Sequence, residues 1–294
     1  MIMTIYDAFT FFNEYDLLRV RLIEHASFVD KFIISRGTHT FSGKPNPYRL
    51  DLGDPRIVEF ADRIVIRDVA LTPAPCNAWE NEFTQRNALF DGLHFSDEDV
   101  VLLSDLDEIV SRDVWPQLLS CIHKCGALAL KMHVYYYFVN LRASREIQTA
   151  RIATGRFLRN CGVTPQELRK RAIAATDYNC GWHFSYIGDE AFIRNTIQSF
   201  AHQEFNRAEI IDERRIRRVL ERQRDLFGRR IRYHWVRFDE SWPLEMVRNA
   251  EWRKFICPRR PVPLQLCDDV VEVTFSLMRR GRTKLLRLLR WVIE

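Results

Sequence analysis

The sequence has no run of about 18 apolar residues, so no membrane-spanning helix is expected in it. It has no Cys-x-x-Cys pair. Its seven cysteines, at 76, 121, 125, 161, 180, 257 and 267, are odd in number and irregularly spaced. That excludes a zinc ribbon and a disulfide framework, and reads as reduced, mostly buried thiols in a reducing compartment. Cys121 and Cys125, four apart, have a packing spacing on a helix rather than the spacing of a zinc knuckle. No repeat of solenoid length is visible, and no disordered tract. The first seven residues enter a strand-like run directly, without the basic region and long apolar core of a secretory signal. Gly43-Lys44 lacks the glycine spacing of a Walker loop. The expectation is a cytoplasmic protein, peripheral at most on the inner face of a membrane.

What is present is a chain of 294 residues, 47% hydrophobic and 28% charged. That suits one large α/β domain with a small helical appendage. The net charge of +5 is unevenly spread, with arginine concentrated in 142–171, 207–232 and 279–290. A basic surface suits nucleic acid, an anionic membrane or a phosphorylated substrate, and solvated helix faces give the same composition.

Strand and helix patterns alternate through the first half. Strands are expected at 5–9, 29–35, 64–66 and 100–103, and helices at 14–26 and 78–93. Farther on, a helix is expected at 114–121, a β-rich stretch at 127–138, and helices at 189–200 and 209–227. The order predicts a Rossmann-like, mainly parallel sheet with helices on both faces. Prolines 258, 261 and 263 mark a break. The expected division is a catalytic domain at 1–260 and a basic amphipathic C-terminal helix at 261–294. In the tail, residues 277–293 interleave Arg and Lys with Leu, Trp and Ile, a pattern suited to an anionic membrane surface. A terminal helix packed on the body would show the same pattern.

Asp105-Leu106-Asp107-Glu108 follows the apolar strand at 100–103. In open α/β sheets ligands bind off the carboxyl ends of strands. Two Asp at i and i+2 share one side of extended backbone. Such a pair suits a hard cation bridging nucleotide phosphates. The competing reading is acidic residues in the first turn of a helix starting near 114.

Several segments resemble glycosyltransferase family 17. They are Phe11 through Leu22, Thr40-Phe41-Ser42-Gly43-Lys44-Pro45, Trp79 through Gln85-Arg86, and Ser104-Asp105-Leu106-Asp107-Glu108-Ile109. Gly181-Trp182-His183-Phe184-Ser185 and Ser199 through Asn206 complete the set, in family order over 4–257. The resemblance implies a GT-A-like fold, inversion at the anomeric carbon, a UDP-sugar donor (UDP-N-acetylglucosamine by analogy), Mn²⁺ or Mg²⁺, and a carbohydrate or lipid-linked glycan acceptor. Where the family pattern has an acidic residue ending the second strand, this chain has Arg36.

On that resemblance Asp107 is the first metal ligand, and His183 a third ligand or a core histidine. Asp105 contacts the metal or the ribose. Arg86 either pairs with the acidic cluster or holds the diphosphate, or it is tied to Glu82 at i−4. Asn13 and Glu14 follow the first strand and are candidates for the donor site, Asn13 alternatively as a helix cap. Lys44 is a candidate for a phosphate contact. An inverting transfer needs a carboxylate base. The candidates are Glu204, Asp189 and Glu190, with Glu204 placed first.

Two rival readings stand beside this one. A haloacid-dehalogenase-type phosphatase also uses a strand followed by Asp-x-Asp. A non-catalytic basic binding protein would use the arginines, although no nucleic-acid-binding motif is present.

Overall fold

The structure is a computed structural model and describes residues 3–259. Its first compact unit is Met1–Ile256, and the tail expected at 261–294 lies outside the described residues. Ten strands build one sheet. They are β1 (Ile5–Phe11), β2 (Lys31–Gly37), β3 (Ile64–Val69), β4 (Val100–Leu103), β5 (Glu108–Val110), β6 (Ala127–Tyr136), β7 (Leu141–Ile147), β8 (Arg151–Thr154), β9 (Ala175–Ser185) and β10 (Tyr233–Trp235). The helices are α1 (Tyr15–His25), α2 (Ala78–Asn87), α3 (Trp115–Cys125), α4 (Gly155–Cys161), α5 (Pro165–Lys170), α6 (Glu190–Ser199), α7 (Ala208–Ile211), α8 (Glu213–Arg222) and α9 (Leu244–Arg248).

The sheet runs β10-β7-β6-β8-β4-β1-β2-β3. Its β4-β1-β2-β3 half is parallel, as expected. The other half is largely antiparallel, with β8 against β4 and β6, and β7 against β6 and β10. The difference has a simple cause. Parallel neighbours need a crossover, and the first half supplies helices for it, whereas β6, β7 and β8 follow one another through short connections that allow only antiparallel pairing. The architecture is of the α/β class, one mixed sheet whose parallel half is connected through helices.

Alternation along the strands places helices on both faces. Phe9 of β1, Phe32 and Ile34 of β2 and Leu102 of β4 enter one core with Leu18, Leu22 and Trp115. Ala8, Ile33, Val101 and Leu103 enter the other, with Leu89, Leu158 and Leu168. Each such Val, Leu, Ile or Phe side chain, fully buried, contributes about 1.5–3 kcal/mol. A third cluster joins Val134 and Tyr136 of β6 to Ile193, Ile197 and Ile216 of α6 and α8. The helix expected at 209–227 is broken, because Asp212 caps a new helix by accepting from Arg215 N, and α8 ends at Gln223 in a left-handed conformation. Among the described residues no helix is long and apolar enough to cross a membrane.

Candidate active site

The acidic cluster leaves the buried strand β4 and turns at once into β5, not into a helix. Glu108 is fully buried in β5, and α3 starts only at Trp115. The helix-cap reading therefore fails. Glu108 Oε2 accepts from Asp105 N at 3.0 Å, and Glu108 N donates to Asp105 O at 3.0 Å, which closes the turn.

The turn is gripped from below by an arginine of the first helix. Arg21 of α1 is fully buried. It donates to the carbonyl oxygens of Asp105 at 2.6 Å, Leu106 at 3.2 Å and Glu108 at 2.9 Å, and to Ser104 Oγ at 2.6 Å. Its charge is balanced by Asp7, at 2.5 and 2.9 Å, which also meets His25 Nδ1 at 2.8 Å. Burial opposes ionisation of Asp7, but Arg21 and His25 outweigh it and hold the carboxyl at about 2.

The two aspartates of the cluster point to different partners. Asp105 accepts from Arg86 at 3.2 Å and from Arg169 of α5 at 2.5 Å. Burial raises its pKa, and the two guanidinium groups override that and bring it to about 2. Arg169 also reaches Glu108 at 3.2 Å. Arg86 bonds Glu82 at 2.7 Å and Gln166 at 2.5 Å besides Asp105, so both pairings considered for it coexist. Asp107 instead faces His183, with Nε2 3.0 Å from Oδ2. The antiparallel register of β5 and β9 sets this contact by placing His183 opposite Glu108. Burial works against a charge on His183, yet Asp107, with Glu108 and Asp105 behind it, holds the imidazole pKa above its usual value. His183 Nδ1 is buried without a hydrogen-bond partner.

A cavity of about 260 Å³ opens beside Asp107. Asn13, Glu14, Arg56, Tyr186 and Asp189 also line it. Glu14 Oε2 accepts from Asn13 N at 2.9 Å and Phe12 N at 3.3 Å. Burial pushes its pKa up and the nearby Asp107 adds to that, against the backbone bonds. Asn13 does not cap α1, and its Oδ1 is buried without a partner at the cavity wall. The chain leaves β9 through Tyr186, at φ 57°, and delivers Asp189 as the cap of α6, where it accepts from Phe192 N at 2.8 Å.

Of the expected site residues, Asn13, Glu14, Asp107 and Asp189 share the cavity, with His183 bonded to Asp107 and Asp105 and Arg86 behind the turn. Glu204, Glu190 and Lys44 are not among its lining residues. Glu204 is exposed and paired with His202 at 2.6 Å. Glu190 bonds Arg217 at 2.7 Å. Lys44 is exposed, and its backbone closes the 40–44 turn through Thr40. Arg36 pairs with Asp68 at 2.5 Å across the register of β2 and β3. Arg21, Arg56 and Arg169 were missed. Arg21 lies inside the family-like segment Phe11 through Leu22 and Arg169 inside the arginine-rich stretch 142–171, but neither was given a role, and nothing in the sequence singled out Arg56.

Among the described residues, no three His, Cys, Asp or Glu side chains are grouped to hold a metal alone. The carboxylate of Asp107 and the imidazole of His183 nevertheless fit a divalent ion as two ligands. Ions such as Mg²⁺ are bound by one or two carboxylates together with substrate phosphates.

An open α/β sheet with an acidic loop and a carboxylate-lined cavity off its strand ends has the layout of an α/β enzyme. The model of glycosyltransferase family 17 matches residues 2–233, and the chain belongs to that family. Membership in this family speaks against the haloacid-dehalogenase-type reading. No curated protein sequence matches the chain significantly. Among solved structures, Staphylococcus aureus TarS 1-349 is 12% identical with a TM-score of 0.39, over 66% of this chain and 64% of that one. The match thus spans less than two thirds of the TarS chain. Glucosyl-3-phosphoglycerate synthase from Mycobacterium tuberculosis, in complex with Mg²⁺ and uridine diphosphate, is 14% identical with a TM-score of 0.31, over 62% of this chain and 70% of that one.

Proposed function

We propose that the protein is an inverting, divalent-metal-dependent transferase that moves N-acetylglucosamine from UDP-N-acetylglucosamine onto a glycan or lipid-linked glycan. The observation that carries this reading is the placement of Asp107, bonded to His183, on the cavity that also holds Glu14, Asn13 and Asp189. Asp107 and His183 would hold Mn²⁺ or Mg²⁺, which when bound supplies positive charge to the leaving diphosphate.

The chain's own residues do the rest. Arg21 fixes the backbone of the acidic turn through three carbonyls, so Asp107 is presented in one orientation. Asp105, neutralised by Arg86 and Arg169, acts by holding the loop and not as the first ligand. Asn13 Oδ1, an acceptor without a partner, suits an N–H or O–H of the donor nucleotide. Asp189 is the base. It is the one of the three candidate carboxylates that lines the cavity. It takes the acceptor hydroxyl proton as the oxygen attacks the anomeric carbon opposite the leaving UDP, which inverts that centre.

The test is UDP release from a panel of UDP-sugars, with Mn²⁺ and then with EDTA. Hydrolysis of one donor that is abolished by EDTA, and lowered at least 100-fold by Asp107→Ala, is the expected result; the size is that of losing one group that stabilises developing charge, about 10²–10³. Turnover that survives EDTA and Asp107→Ala would overturn the metal assignment.

A further inference from the structure

The charge of this chain is concentrated in one place. Between residues 207 and 237 eleven arginines stand against five carboxylates, an excess larger than the +5 of the entire sequence. Few of those carboxylates are free to answer them. Asp225 is buried against Arg229, Asp212 caps α8, and Glu213 is taken by Arg194. Arg214, Arg218, Arg230 and Arg232 have no acidic partner among the described residues, and all four are exposed.

The helix α8 orders part of this charge. Ile216 is its buried residue and faces the third apolar cluster. At 100° per residue the opposite side carries Arg214, Arg218 and Arg222, with Arg217 at its flank and the single carboxylate Glu221 among them, an arginine-rich stripe roughly 12 Å long at 1.5 Å per residue. The stripe adjoins the site. α8 packs on α6, and Arg217 bonds Glu190, the residue next to the cavity carboxylate Asp189.

We propose that the outer face of α8, together with the exposed Arg230 and Arg232 that follow it in the chain, docks on an anionic phospholipid bilayer and so holds the cavity next to an acceptor carried by a lipid. The acceptor clause rests on the function proposed above; the docking does not. Three observations favour a bilayer over another polyanion. The arginines lie on a convex helix face, and none of them lines the cavity beside Asp107. Exposed large apolar residues of the described chain are Met3, Tyr48, Val58, Trp79 and Val247, so this face offers no exposed ring on which bases would stack. The guanidinium groups of Arg214 and Arg218, without carboxylate partners among the described residues, remain available for phosphate oxygens, and each contributes to attraction at an anionic lipid surface.

The experiment is co-sedimentation of the full chain with vesicles of phosphatidylcholine, with and without 30% phosphatidylglycerol (about one lipid in three, enough to give a negative surface potential). Arg214→Glu/Arg218→Glu and Arg214→Lys/Arg218→Lys are compared with the parent, each checked for an unchanged thermal melt. The parent should bind only the vesicles with phosphatidylglycerol. The Glu pair should lose about 30-fold or more in affinity, and the Lys pair should keep most of it. Equal binding of the Glu pair, or equal binding of the parent to neutral vesicles, overturns the proposal. So does tighter binding to duplex DNA than to vesicles that is lost in the same variant. UDP-sugar hydrolysis in solution is measured in parallel. Its absence in every variant would sink the catalytic reading and leave the docking result standing alone.

Discussion

Asp7 shows how one residue can support a site it never touches. Its carboxylate lies under the sheet, fully buried, and its two oxygens are shared between Arg21 and His25. Removing the charge would leave Arg21 buried and uncompensated. Asp7→Asn is expected to cost about 3–5 kcal/mol, read as a lower urea midpoint. The same group predicts a pH dependence. Its pKa is held at about 2, below the ordinary 3.8, so the ionised form stabilises the folded chain above about pH 4. That stabilisation, on the order of 2 kcal/mol, is lost as pH falls from 4 towards 2. Urea midpoints at pH 6 and pH 3 should fall in the parent, and the fall should be smaller in Asp7→Asn. A fall of equal size in both would assign the acid sensitivity to other carboxylates, of which Asp105 is the nearest in kind.

At the scale of elements, the contact between β5 and β9 decides whether Asp107 meets His183. Val110 pairs with Gly181, and a Cβ on Gly181 would lie 2.1 Å from Ile109 O, a backbone atom that has no room to yield. Gly181→Ala must push the strands apart two residues from His183. The expected outcome is a loss of turnover of 10-fold or more, because a misplacement of about 1 Å at a reacting centre can cost 10²-fold. A donor-hydrolysis assay on a variant with an intact near-ultraviolet spectrum checks it; unchanged turnover would mean that the strand pairing does not align the pair. The same elements show what was readable beforehand. The run Val100 to Leu103 is apolar on both faces, as a strand buried on both faces must be, so β4 and the acidic turn after it were legible. The strands β1 and β2 were legible too, from apolar runs at 5–9 and 29–35. β7 was not: its Arg-Ala-Ser-Arg-Glu stretch is polar, since β7 is exposed along most of its second half. Arg169 was illegible for a different reason. It stands 64 residues from Asp105 in sequence, and only the docking of α5 against α2 brings it to the loop.

For the molecule as a whole, the site draws on segments far apart in the chain. Asn13 and Glu14 follow β1, Arg56 belongs to the connection between β2 and β3, Asp107 follows β4, and Asp189 follows β9. A ligand that touches all of them ties together both halves of the sheet, the parallel one and the antiparallel one. Binding to the folded chain alone therefore adds to global stability by RT ln(1 + [L]/Kd), about 2.7 kcal/mol at 100 Kd. For a domain of this size each kcal/mol raises Tm by about 2–4 °C, so UDP with Mn²⁺ at that excess should raise it by roughly 5–11 °C. The shift should vanish with EDTA, since the nucleotide diphosphate would then meet a cavity whose carboxylates repel it and whose one basic lining residue, Arg56, is already answered by Asp54 and Asp16. A full shift with UDP in EDTA would show that the chain binds the diphosphate without a divalent ion, and it would move the role of Asp107 from metal ligand to a direct contact with sugar or ribose.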